Sequence, residues 1–418
     1  MLVVAAILLV LAVLGVPIFA VIAASAMAGF HREGIDLSVV PIEFFGLAET
    51  PVLVAIPLFT FAGFLLSESG APGRLVRLSQ ALLGWLPGGL AMISLCVCAL
   101  FTAFTGASGV TIIALGALFV PAMAQAGYSD RFNLGLVTTA GSLGLLFAPS
   151  LPLILYGIVA EVSIDDLFVA GIVPGTLMVV LLAAYSYWVN RHGRASAGTP
   201  SWAELSGALW AAKWELPLPV VVLGGIYSGF FAVSEAAAVT ALYVLGVEAV
   251  IMREISFREL PRIVRESMVL VGAILMIVGM SLASTNYMID IGVPQRLFAL
   301  ISAYVDGPHA FLAALLVFLL ILGAILDIFS AIVLVVPLIL PIAVQYGVHP
   351  IHLGIVFLAA MELGYLTPPV GLNLFISSYR FDRDIAEIYW ATLPFLLVLL
   401  VCVIVIAYLP ALSLWFLS

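Results

Sequence analysis

From Met1 to Leu417 the chain is a succession of apolar stretches, parted only by short polar patches. That pattern narrows the fold more than any other feature. In hydrocarbon every backbone N–H and C=O must be satisfied within the protein, which leaves α-helices or closed barrels. A barrel strand alternates apolar and polar residues and these stretches do not, so the chain reads as an all-α polytopic membrane protein in a lipid bilayer. Only 9% of its residues are charged, against about 25% in soluble domains, so no water-soluble domain fits. A net charge of −9 speaks against a nucleic-acid partner. The opening stretch has no basic n-region and no cleavage pattern, and reads as a retained membrane segment. Residues 1–30 can be counted as one crossing or two.

Sliding the chain by 220 positions brings breakers into register without a gap: Pro121 with Pro341, Gln125 with Gln345, Gly127 with Gly347, Leu143 and Gly144 with Leu363 and Gly364, Pro149 with Pro369. Two copies of one unit follow, 1–190 and 214–418, joined by a linker at 191–213. Apolar length divides the first copy into 2–14, 17–30, 50–68, a pair 88–104 and 108–124, an interrupted helix 131–160, and 167–190. The second divides into 216–230, 233–252, 266–288, a pair 308–325 and 328–344, an interrupted helix 351–380, and 388–416. The paired stretches are short for spanning helices, which need about 20 residues, so 88–124 and 308–344 read as re-entrant hairpins. With the hairpins not crossing, Arg74, Arg77, Arg131, Arg191, Arg194, Lys213, Arg253, Arg258, Arg262, Arg265, Arg380 and Arg383 share one side, and only Arg32 and Arg296 lie on the other. Basic loops mark the cytoplasm, so the linker is cytoplasmic. Each copy then crosses an odd number of times, and the repeats are inverted. The basic and apolar stretches 73–85 and 255–267 read as interfacial helices bracing a scaffold.

Inverted repeats with interrupted helices belong to secondary transporters, whose sites form from unwound backbone near the midplane. Four polar breaks supply the material. The first hairpin tip, FTAFTGASGVT, carries Thr102, Thr105, Gly106, Ser108, Gly109 and Thr111; the first helix break, TTAGSLGLLFAPSLP, carries Thr139, Ser142, Gly144, Pro149 and Ser150. The second copy offers Gly323, Asp327 and Ser330 in LGAILDIFSAI, and Glu362, Gly364, Thr367, Pro368, Pro369, Gly371 and Asn373 in MELGYLTPPVGLN. Freed carbonyls and hydroxyls suit a small hard cation, and the N–H ends of half-helices favour an anion. The combination suggests sodium-coupled uptake of an organic anion. Each Gly, Ser or Thr taken singly also serves helix packing. Asp327 reads as a functional acid at bilayer depth, a hairpin-tip cap or a partner to a basic side chain. Glu362 has similar readings and could instead be protonated and hydrogen-bonded. Glu235, after Ser234, reads as a helix cap.

No nucleophile–base pair, Walker loop or GxGxxG fingerprint is present, which argues against an enzyme or an ATP-driven pump. Cys96, Cys98 and Cys402 lie in apolar segments and read as packing residues. His31, His192, His309, His349 and His352 are scattered near segment ends without metal-ligand context. No cofactor is expected beyond the coupling ion Na⁺.

The stretches LVAIPLFTFAGFLL, RLVRLSQALLGWLPGGLAM, GALFVPAMAQAGY, LPLILYGIVAEVSIDDLFVAGIVPG, VVVLGGIYSGFFAVSEAAAV and HLGIVFLAAMELGYLTPPVGLNLF, in that order, resemble the large membrane subunit of tripartite ATP-independent periplasmic (TRAP) transporters over nearly the whole chain. The resemblance implies an elevator-type carrier of the bacterial inner membrane, with a mobile transport domain of hairpins and interrupted helices and a static scaffold. It implies two partners, a small four-helix membrane subunit and a periplasmic solute-binding protein that delivers a dicarboxylate, sialic acid or similar carboxylate. Carried over by position, one sodium site takes Thr105, Gly106, Ser108, Ser142, Gly144 and Pro149, and the other Gly323, Asp327, Gly364, Thr367, Pro369 and Gly371. Substrate is placed by Ser108, Gly109, Ser150 and Asn373. The tip TGASG has fewer serines than the family's usual pattern and FAPS has one proline where two are usual, so backbone carbonyls carry more of the first site. Two other readings compete: a self-sufficient anion carrier of the divalent anion–sodium symporter type, and a subunit of a membrane-embedded enzyme or scaffold.

Overall fold

The computed structural model describes residues 7–417 apart from 9, 12, 13, 84, 85, 87 and 192–200. Most of the expected segment 2–14 lies outside the described residues, as do His192 and Arg194. The described chain is helical throughout. It runs α1 (Ile18–Arg32), α2 (Val39–Gly46), α3 (Ala55–Glu68), α4 (Ala71–Leu83), α5 (Gly89–Thr105), α6 (Ser108–Gln125), α7 (Asp130–Ala140), α8 (Leu151–Val159), α9 (Ile164–Asn190) and α10 (Trp202–Ala211). It continues with α11 (Pro217–Tyr227), α12 (Val233–Leu245), α13 (Leu260–Asp290), α14 (Val293–Ser302), α15 (Gly307–Gly323), α16 (Ile328–Gln345), α17 (Pro350–Gly364), α18 (Leu372–Phe381), α19 (Ile385–Tyr408) and α20 (Ala411–Leu414). Seven of the described helices are long and apolar enough to cross a membrane, or nine when bent pairs count as single spans.

Local chemistry sets the helix ends. Gly106, in the left-handed region at φ 64°, ends α5, a conformation a side chain would strain. Ser129 caps α7 through its hydroxyl on the Phe132 N–H, and Ser163 caps α9 on Asp166. Glu235 reaches back to the N–H of Ala232 at 3.0 Å, the capping role its sequence suggests. His352 is satisfied as well, with Nδ1 2.7 Å from the Ser413 hydroxyl and Nε2 3.1 Å from the Ala407 carbonyl.

Two expectations change. The stretch 255–267 is not a separate interfacial helix: from Leu260 onward it is the start of the 31-residue α13. The element standing 220 positions after α4 is α14, whose charge pattern, a lone Arg296, gave no sign of it. Nor is α4 simply a helix lying on lipid, because Arg74 is buried. The helix α2 and the linker helix α10 have no counterpart in the apolar segmentation, being short and flanked by polar residues.

The two interrupted helices form the centre of the molecule. Every residue from Phe132 to Ala140 in α7 and from Ile351 to Gly364 in α17 is buried. The first break, 141–150, is enclosed by protein, the setting in which irregular backbone at membrane depth is tolerated, whereas the second is buried at Tyr365, Leu366 and Gly371 and exposed at Pro368, Pro369 and Val370. Around them pack α5, α6, α9, α15, α16 and α19, while α1, α2, α3, α12 and α13 pack on one another alongside.

Candidate functional site

The first hairpin tip and the first break interlock. Between α7 and α8 the chain makes a 3-10 turn at Leu143–Leu146 and reaches α8 through a cis Ala148–Pro149 bond. Thr102 donates to the Gly141 carbonyl at 2.8 Å and shares a 2.6 Å hydrogen bond with Thr111, tying both legs of the hairpin to the break. Gly144 packs against α5 so closely that a Cβ would lie 2.5 Å from the Ala103 nitrogen. Thr105 is buried, with its hydroxyl 3.5 Å from the Ala107 carbonyl. Thr139 Oγ1 and Ser150 Oγ, both buried, have no hydrogen-bond partner among the described residues. Buried hydroxyls left bare cost about 1–3 kcal/mol each unless something arrives to use them.

The second hairpin and second break are joined differently, through backbone. The Ala324 carbonyl accepts from both Val370 and Gly371 N–H at 3.1 Å. Gly323 and Gly364 meet face to face, and a Cβ at 364 would stand 2.6 Å from the Gly323 Cα. Asp327 caps α16: Oδ1 accepts from Phe329 and Ser330 N–H at 3.0 Å and Oδ2 from the Ser330 hydroxyl at 2.5 Å. The Ile328 N–H donates to the Tyr365 hydroxyl at 2.7 Å. Thr367 donates to the Leu363 carbonyl at 3.0 Å, and Pro369 follows a cis Pro368–Pro369 bond.

The two halves meet at Asn373. Its Nδ2 donates to the Thr138 carbonyl at 3.2 Å and to Ser142 Oγ at 3.3 Å, while Oδ1 is buried without a partner among the described residues. Thr138 in turn donates to Ser377 at 2.8 Å. Between the hairpin tips lies a cavity of about 440 Å³ lined by 106–110, Ile113, Leu145, 327–329, Tyr365, Leu372 and Ile376, with Phe64 of α3 and Leu270 of α13 also on its wall. A small organic molecule fits such a volume. Ser108, Gly109 and Asp327 line it; Ser150 and Asn373 are buried behind that lining. The helix α6 starts at this cavity with no side-chain cap, whereas the start of α16 is covered by Asp327 and Tyr365.

Sequence reasoning missed Thr138, Ser377, Tyr365 and the two wall residues. Tyr365 stands inside the quoted break and Thr138 beside Thr139, so proximity to a break was a usable signal for both. Phe64 and Leu270 carry none, being apolar residues among many. A further cluster was also missed. Arg74 Nε contacts Glu215 at 2.5 Å, Nη2 contacts Glu248 at 3.2 Å, and Nη1 pairs with Glu254. Burial works against the Arg74 charge, and the carboxylates, Glu215 foremost, outweigh it and hold the guanidinium above its ordinary range.

A family model described as "Tripartite ATP-independent periplasmic transporter, DctM component" matches residues 3–412. The chain belongs to this DctM family. It is 35% identical over 89% of its length, and 88% of the other chain, to the C4-dicarboxylate TRAP transporter large permease protein DctM of Pseudomonas aeruginosa. It is also 35% identical over 97% of its length to the isethionate TRAP transporter permease protein DctMQ of Oleidesulfovibrio alaskensis, of which it spans 64%. Among solved structures, the YdaH transporter of Alcanivorax borkumensis superposes with a TM-score of 0.58 at 14% identity, covering 90% of this chain and 87% of the other, a likeness of fold. This DctM-family chain is thus a large membrane subunit of TRAP type, a multi-pass protein of the bacterial inner membrane with a role in transport.

Proposed function

We propose that the chain imports a small organic acid by sodium-coupled symport, working with a small four-helix membrane subunit and a periplasmic binding protein that delivers the substrate. The observation that carries this reading is the cavity between the hairpin tips, into which the uncapped start of α6 opens beside Ser108 and Gly109. A helix N-terminus offers bare N–H groups and about half a positive charge, which favours a carboxylate or sulfonate. C4-dicarboxylate and isethionate, named for the two relatives, are both acids of that size. The cation side is supported by bare or acidic oxygens: Thr139 and Ser150 at the first break, Asn373 of the second break reaching across to it, and Asp327 at the second hairpin tip. The sodium positions are those expected from the breaks, with Ser108 and Gly109 toward substrate and Ser150 and Asn373 behind them. Inverted repeats 1–190 and 214–418 supply the two hairpins. The wall formed by Phe64 and Leu270 is the face along which hairpins and breaks slide as an elevator against a scaffold containing α3 and α13.

The test is uptake into proteoliposomes of chain plus small subunit, with labelled organic acids presented by the binding protein under an inward Na⁺ gradient. Uptake is expected to need both protein partners and Na⁺. Equal uptake with K⁺ replacing Na⁺ removes the sodium claim. Full uptake by the chain alone favours the self-sufficient symporter. Transport that persists with α3 crosslinked to α5 removes the elevator.

A further inference from the structure

The cavity between the hairpin tips has no cationic side chain on its wall. Among the described residues its lining holds no Lys, Arg or His; the polar side chains there are Ser108, Asp327 and Tyr365, and the rest of the wall is apolar or glycine. Arg380 stands about two turns along α18 from the lining residue Leu372, but it is exposed, and its Nε is engaged with the Ile113 carbonyl at 3.2 Å. An acid entering this space must therefore be met by backbone, and the helix starts differ in what they leave open. At α16 the first N–H groups are all engaged: Ile328 donates to the Tyr365 hydroxyl at 2.7 Å, and Phe329 and Ser330 donate to Asp327 Oδ1 at 3.0 Å. At α18, which reaches the cavity through Leu372, Asn373 and Leu374 donate to the Tyr365 and Gly371 carbonyls at 3.2 and 2.8 Å. At α6 the N–H groups of Ser108, Gly109 and Val110 have no partner among the described residues. Ser108 adds an independent sign. It is only 4% exposed and lines the cavity, and its hydroxyl has no partner among the described residues.

One open seat for an anion therefore shares the chamber with one resident carboxylate, Asp327. We propose that the substrate is an organic acid with a single anionic group, held at the start of α6 by the Ser108 hydroxyl and the N–H groups of residues 108–110, with an uncharged body against the apolar walls, and that an acid with a second carboxylate is refused. The inference rests on the transport reading above and narrows its substrate class. A dianion would set its second charge against apolar wall or against Asp327, and a buried charge without a counter-charge, or beside a like one, is strongly unfavourable. Sodium on Asp327, as assigned above, leaves this balance unchanged: one cation answers the carboxylate that the chain itself supplies, and none remains for a second from the substrate. Selection here works by rejection of the wrong acid as much as by attraction of the right one.

The test measures binding to the complex of the chain with its small subunit, without the binding protein, so that the selectivity read is that of the cavity. Thermal unfolding is followed by tryptophan fluorescence while straight-chain monocarboxylates from propanoate to hexanoate, and the dicarboxylates of the same carbon numbers, are titrated at neutral pH with Na⁺ and ionic strength held constant. Each monocarboxylate is expected to stabilise the complex with a half-saturating concentration lower than that of its dicarboxylate counterpart by about tenfold or more. Ser108→Ala is expected to raise the monocarboxylate value by about tenfold, the loss of one hydrogen bond to a charged group. Dicarboxylates that bind the wild-type complex as tightly as their counterparts, or more tightly, overturn the inference. Monocarboxylate binding that is the same in a folded Ser108→Ala complex as in wild type overturns the seat at α6. If no acid of either kind stabilises the wild-type complex, the transport reading of the cavity itself fails, and not its selectivity alone.

Discussion

Replacing Arg74 by Ala should destabilise the chain severely, and the structure sets the size. The guanidinium serves three carboxylates whose side chains are exposed by 6% (Glu215), 1% (Glu248) and 30% (Glu254). Glu254 can turn to solvent, so its share is discounted as a partly exposed pair. Glu215 and Glu248 cannot, and stripping a buried pair of one partner costs about 3–5 kcal/mol. The three contacts are one network, so the loss is that of a single buried counter-ion and not a sum of three. At 1.36 kcal/mol per tenfold, the unfolding equilibrium should shift by about two hundred- to five-thousand-fold. Denaturant unfolding in mixed micelles, followed by tryptophan fluorescence, reads this directly. The matched control is Arg74→Ala combined with Glu215→Gln and Glu248→Gln, which removes the stranded charges and should recover more than half of the loss. If Arg74→Ala costs under about 1 kcal/mol, or neutralising the acids restores nothing, the cluster is not the buried charge hub described.

Three further substitutions address the second hairpin and its break. Gly364→Ala puts a methyl 2.6 Å from the Gly323 Cα, where backbone and not a flexible side chain must yield. Uptake should fall at least tenfold with assembly retained on size-exclusion chromatography, and near-normal uptake would show that the second hairpin need not touch its break. Asp327→Asn keeps an acceptor for the α16 cap, worth about 1 kcal/mol, but removes the charge. Stability should hold within about 0.5 kcal/mol while the Na⁺ needed for half-maximal uptake rises, and Thr367→Ala should shift it in the same direction. Unchanged Na⁺ activation in both would mean that the second break holds no ion.

What the sequence made legible follows from which forces are local. Pro, Gly and polar clusters interrupt helices wherever they occur, so both hairpin tips and both breaks stand where those residues stand: Gly106 ends α5 and Gly371 precedes α18. The charge pattern misled where two different structures share it. Residues 255–267 and 73–85 look alike as strings, yet one begins a long helix and the other buries its Arg74 against acids more than 140 residues away. No local signal distinguishes an arginine at a lipid surface from one whose partners arrive only on folding. The cavity wall was hidden for a related reason, since Phe64 and Leu270 gain their meaning from packing alone.

The double acceptance at the Ala324 carbonyl has a mechanical consequence. With two N–H groups of the 367–371 kink anchored on one oxygen and two glycines pressed together beneath it, prising the second hairpin off its kink means losing two hydrogen bonds, about 1 kcal/mol each, and opening a glycine-sized seam. On the proposed elevator reading, hairpin and kink travel as one jaw, and the chamber opens by that jaw shifting as a piece against its surroundings.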